Sequence, residues 1–227
     1  MFFGTKWDLL ILVGIAISMW ASFRVRGTFN KWSEVRVSSG MTGAEAARRM
    51  LDANGLYDVP VKPVPGSLSD HYDPIKRVVN LSEPVYGESS ISAISVACHE
   101  VGHAIQHKVH YPALVLRHRM VPVANLASGA APFLILGGVL LRFADLIGIG
   151  ILLFSAAVAF QLVTLPVEFN ASSRARKIMV QQGFVTTQEE KGAGKVLNAA
   201  ALTYVAATLV ALMELLRFVM IFLDRRD

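Results

Sequence analysis

Four stretches of the chain are predominantly apolar for long enough to matter: residues 9–23, 121–141, 146–165 and 199–223. At about 1.5 Å of helix rise per residue, the last three can cross a hydrocarbon core of about 30 Å. The first is shorter. It is flanked by Trp7 and Trp20, which suit a membrane–water boundary, and Phe2 and Phe3 or local thinning of the bilayer would help it span. Small residues in the second stretch, among them Gly137-Gly138, suit close helix packing, and Pro132 is placed to kink it. Only 142–145 separates the second and third stretches, which predicts a tight antiparallel hairpin.

Between the first two stretches the pattern becomes mixed. Thr42 is placed to cap a helix over 44–53, and Gly55 to end it. Three prolines keep 59–66 extended or turning, and Asp73-Pro74 predicts a turn. Residues 77–82 alternate as a short strand, and 90–107 follows as a helix rich in Ala, Ile and Val. The expected fold is therefore a mainly α, multi-pass membrane protein of four transmembrane helices with a small helical or α+β module. The division runs 1–24 as anchor helix, 25–120 as the module, 121–165 as transmembrane hairpin, 166–198 as a returning helix and 199–227 as the last span.

Composition agrees with lipid. Hydrophobic residues make up 53% of the 227 and charged residues 17%, less charge than soluble domains carry. The net charge of +5 comes without a basic block or a nucleic-acid-binding signature, so no nucleic-acid partner is expected. Near the helix ends Lys and Arg concentrate on one side, which places residues 25–120 in the cytoplasm and both termini outside. The Arg225-Arg226 pair runs against that assignment. The single cysteine, Cys98, excludes an intramolecular disulfide and fits a small buried apolar position.

Chemistry enters at His99-Glu100-Val101-Gly102-His103. Histidines four apart share one helix face and can share one metal ion. Neutral imidazoles suit Zn²⁺, and Glu100 beside the first of them is placed as general base toward water. Three ionisable groups in an otherwise apolar segment would be costly to bury without a purpose. A catalytic zinc needs a third protein ligand. His107 lies about 12 Å along the helix from His99, too far to share the ion. The sixth position after His103 is Val109, which excludes the HExxHxxGxxH class. Glu168 follows the third apolar stretch, and two crossings return the chain to the same side as the histidines. Glu214 lies inside the fourth stretch with Arg217 three residues on, which predicts pairing within the bundle.

Four segments carry a resemblance: Ser39-Gly40-Met41-Thr42-Gly43-Ala44-Glu45-Ala46-Ala47-Arg48, Leu68-Ser69-Asp70-His71-Tyr72-Asp73-Pro74, His99-Glu100-Val101-Gly102-His103-Ala104-Ile105-Gln106, and Val167-Glu168-Phe169-Asn170-Ala171-Ser172. In this order they resemble the YugP-type neutral zinc metallopeptidases of bacterial membranes. The resemblance implies a gluzincin arrangement similar to the HtpX-like membrane proteases, with one zinc ion on two helix histidines and a downstream glutamate. It also implies a bacterial inner-membrane location and peptide-bond hydrolysis. Ser172 stands where those proteases commonly carry an acid that supports a zinc-ligand histidine. In zinc peptidases an edge strand before the histidine helix binds substrate backbone, which would give that role to Arg77, Val79 and Leu81. An ordinary sheet edge is the alternative. His71 and Tyr72 either stabilise an oxyanion or order the Asp73-Pro74 turn. The lipid surroundings point to membrane or membrane-proximal protein substrates. A zinc hydrolase of non-peptide substrates and a scaffold with structural zinc are the competing functions.

Overall fold

The computed structural model describes residues 6–224 and is mainly helical. Phe2, Phe3, Arg225 and Arg226 lie outside the described residues. After a short 3-10 turn at Lys6–Asp8, the long helices are α1 (Leu9–Ser33), α5 (Pro112–Leu140), α6 (Ala144–Gln181) and α7 (Thr187–Leu223). Among the described residues these four helices are long and apolar enough to cross a membrane. Each continues beyond its apolar stretch, α6 by sixteen residues past 165, because a helix leaving lipid keeps its backbone hydrogen bonds whatever surrounds it. Pro132 lies inside α5, as does Pro122.

The chain divides into two compact units. One comprises Met1–Ser22, Val115–Leu165 and Thr203–Asp227. Here glycines bring α5 and α6 together: a Cβ on Gly138 would stand 2.8 Å from the Ile147 nitrogen, and one on Gly150 3.1 Å from the Ile135 nitrogen. Ile135, Val139, Ile147, Phe218 and Ile221 form its buried cluster. Arg217 is buried too, held by Asp8 Oδ1 at 3.0 Å and Glu214 Oε1 at 2.8 Å. Phe133 and Leu152 are three-quarters exposed, as side chains that face lipid rather than water would be.

The second unit comprises Phe23–Leu114 and Pro166–Leu202. Helix α2 (Gly43–Ala53) begins at Thr42, whose hydroxyl accepts from the Glu45 N–H while the Glu45 carboxylate accepts from the Thr42 N–H. Gly55, at φ +64°, follows its end. Three strands follow, β1 (Val61–Val64), β2 (His71–Asp73) and β3 (Val78–Ser82), then the short α3 (Glu83–Gly87) and α4 (Ile91–Lys108). The sheet order is β1-β3-β2, with β1 parallel and β2 antiparallel to β3. The proline-rich segment supplies β1, where Pro63 is tolerated because this is an edge strand.

That order corrects the expectation for Arg77, Val79 and Leu81. Their strand is central, paired on both sides, and cannot accept a further strand. Val79 and Leu81 are fully buried in the core, and Arg77 precedes the strand and pairs with Asp58 at 3.0 Å. A five-residue alternation looks the same for an edge and for a buried centre; only its pairing distinguishes them.

Candidate metal centre

Ser90 caps α4 by accepting from the Ala93 N–H, and the apolar face of the helix packs into the core through Ile94, Ala97, Cys98, Val101 and Ala104. Cys98 is fully buried, and burial pushes its thiol far above the ordinary range, which makes it unreactive. Toward α6 the helix presents Gly102. A Cβ there would stand 2.7 Å from the Ala171 carbonyl oxygen, so the missing side chain permits the close approach of the two backbones. Ala171 lies one turn beyond Glu168. The contact therefore sets the glutamate against the histidines.

His99, His103 and Glu168 each turn one ligand atom to a common point. His99 Nε2 lies 3.1 Å from His103 Nε2, and Glu168 Oε2 lies 3.3 Å from the first and 3.5 Å from the second. Atoms bound to one tetrahedral zinc at about 2.0–2.2 Å stand roughly 3.3–3.6 Å apart. The outward nitrogens are held in turn. His103 Nδ1 is 3.0 Å from Gln106 Oε1, and the Gln106 amide donates to the Val167 carbonyl and to Asn170 Oδ1. With its amide nitrogen committed, Gln106 offers His103 an acceptor, so Nδ1 carries the proton and Nε2 a lone pair. His99 Nδ1 is 3.1 Å from Ser172 Oγ. Glu168 Oε2 is buried with no hydrogen-bond partner. The lone pair of His103 Nε2 and a carboxylate oxygen of Glu168 thus face each other beside His99 Nε2, and the donor set of two imidazoles and a carboxylate at these separations fits zinc.

Glu100 is 8% exposed, on the turn between the two histidines. Burial by itself disfavours protonated His103, but Glu168 and Glu100 outweigh it and raise the imidazole's pKa. That is the field of a cation site.

The other expected residues fall elsewhere. Tyr72 Oη is 2.9 Å from His107 Nδ1, and burial raises the phenol's pKa. Burial, with Arg77 and His110 nearby, lowers that of His107, which is not in the metal group. His71 is exposed, bonded at Nδ1 to the Ser69 carbonyl and at Nε2 to the Asn80 amide. Asp73 accepts from the N–H groups of Ile75 and Lys76 and orders the turn itself. Glu214 is committed to Arg217. The sequence pattern did not single out Gln106, Asn170 or Asp70. Gln106 had a signal: a polar side chain three residues past His103 in an apolar helix, here fully buried. Asp70 binds the N–H and hydroxyl of Ser82. Burial raises its pKa, and the Glu100 charge adds to the rise.

A membrane protein with a two-histidine, one-glutamate group is thus defined by fold and site together. A family model described as "Putative neutral zinc metallopeptidase" matches residues 7–223, and the chain belongs to that family. It is 66% identical over 218 residues to the "Putative membrane protease YugP" of Bacillus subtilis (strain 168), an alignment covering 96% of this chain and 97% of that one. No solved structure matches the chain.

Proposed function

We propose that this protein is a membrane-embedded zinc endopeptidase in which His99, His103 and Glu168 hold one zinc ion and Glu100 is the general base. The observation that carries it is the convergence of three ligand atoms on one point, with Glu168 Oε2 buried and unbonded. When bound, zinc supplies the Lewis acidity that lets water act as a nucleophile near neutral pH. Glu100 takes the proton that water loses as it attacks the peptide carbonyl, and delivers it to the leaving amine. Gln106 and Ser172 orient the two imidazoles. Three protein ligands leave a coordination position for chemistry, whereas a structural zinc is closed by four. The protein substrates lie in or beside a bacterial inner membrane, and the site faces the cytoplasm, as the distribution of Lys and Arg favours.

The test measures peptide cleavage and zinc content on the same purified samples. Glu100→Gln keeps size and hydrogen bonding but cannot accept a proton. It is expected to retain zinc and lose about 10²–10⁴-fold in turnover. Glu168→Ala is expected to lose zinc and activity together. Glu100→Gln cleaving like the parent removes the mechanism. A zinc-loaded parent that ignores every peptide but hydrolyses an ester installs the non-peptide hydrolase in its place.

A further inference from the structure

We propose that a groove between α1 and α7 binds the phosphate headgroup of an anionic glycerophospholipid. The groove encloses about 770 Å³ and is lined by Phe23, Arg24, Lys31, Trp32, Lys195 and Leu202, among others. Every charged residue in its lining is a cation. Among the described residues, none of Arg24, Lys31 and Lys195 forms an ion pair with a carboxylate. Three exposed cations around one concavity attract an anion more than the same charges on a convex surface do, because the walls focus their field.

The groove is also built. Trp32 forms part of its wall, and the ring lies so close to α7 that a Cβ on Gly192 would stand 2.6–3.0 Å from its carbons. Lys195 Nζ lies 5.6 Å from the ring centroid, a distance at which the aromatic face holds the ammonium. On α1, between Arg24 and Lys31 in sequence, a Cβ on Gly27 would meet nothing within 4 Å, so the space beside the helix there is open.

Its position selects a lipid over a soluble phosphate. The apolar run of α1 ends at Phe23, and that of α7 begins at Ala199; both residues line the groove. Phe23, Ala199 and Leu202 therefore form an apolar end, and Arg24, Lys31 and Lys195 a cationic one, at the level where both helices leave the hydrocarbon. A ligand matching both ends carries a phosphate and acyl chains in one molecule.

The test uses the full chain with Trp7→Phe and Trp20→Phe, so that Trp32 is the sole tryptophan, reconstituted in phosphatidylcholine vesicles. A small fraction of lipid whose acyl chain carries a fluorescent energy acceptor for tryptophan, which acts over longer distances than contact quenchers, is added, either phosphatidylglycerol or phosphatidylcholine. Labelled phosphatidylglycerol is expected to quench Trp32 at much lower content, with the preference falling as salt rises. Each of Arg24→Gln, Lys31→Gln and Lys195→Gln is expected to weaken that preference about five-fold, and the three together about a hundred-fold. The salt titration on the parent keeps the test valid if the triple variant fails to fold. Equal quenching by the two lipids, or a preference indifferent to salt, overturns the proposal. So does relief of quenching by glycerol 3-phosphate, which would mark a soluble-phosphate site, or by an acidic peptide, which would mark a protein-docking groove.

Discussion

Asp70 lies near the Glu100 charge without belonging to the metal group. Its carboxylate accepts from Ser82 at 2.7 Å, yet burial keeps its pKa above the ordinary 3.8, and Glu100 adds to the rise. A carboxyl raised on folding binds its proton more readily in the native than in the unfolded protein. Its contribution therefore favours the native state less as pH climbs from the unfolded value through the folded one. Asp70→Asn keeps an acceptor for Ser82 and removes the charge. The melting temperature of Asp70→Asn minus that of the parent is expected to grow from pH 4 upward until Asp70 is fully ionised. A difference that stays flat across that range would show that Asp70 is not raised. The histidines of the HEVGH segment were legible because i, i+4 spacing is a local property. The role of Gln106 was not, although its polarity stood out, because its partners Val167 and Asn170 come from another helix.

Where two helices meet, the decisive residue is the one without a side chain. Gly102 lets α4 and α6 approach until a methyl group would contact the Ala171 carbonyl. Gly102→Ala is expected to force the helices apart, at a cost of about 1–3 kcal/mol. Glu168 rides on the displaced helix, so zinc affinity is expected to fall about ten- to hundred-fold, read by competition with a chelator. Unchanged affinity would mean that Glu168 adjusts independently of the contact. In the other unit, Arg217 is buried between Asp8 and Glu214. Arg217→Ala strands two acids and is expected to destabilise the detergent-solubilised protein by about 3–5 kcal/mol. Replacing all three with Asp8→Asn, Glu214→Gln and Arg217→Met is expected to recover most of that loss. The Glu214–Arg217 half of this cluster was legible from spacing three along a helix. The Asp8 half, 209 residues away in sequence, was not.

For the molecule as a whole, the four helices long and apolar enough to cross a membrane predict that α6 returns to the side of α4. The excess of Lys and Arg predicts that this side is cytoplasmic. Ile75, 93% exposed on the β2–β3 turn, is a suitable probe position, and the native Cys98 is too deeply buried to contribute background. Ile75→Cys is expected to resist a membrane-impermeant thiol reagent in intact cells and to react once the membrane is opened. Ready labelling of intact cells would reverse the topology and put the metal group outside.

By itself the sequence determined what depends on near neighbours: four apolar helices, the Thr42 cap, and two histidines on one face of α4. It also singled out Glu168, since counting two crossings returns it to the histidines' side. Only the tertiary structure decided how the strands pair, and with it that Val79 and Leu81 belong to the core rather than to a substrate-binding edge. Only packing showed that Gly102 admits Ala171 and that Gln106 fixes the proton on His103. The physical reason is common to all three. Hydrophobic period and capping act over one or two turns, whereas strand order and the partners of a buried polar atom are set by segments far apart in the chain.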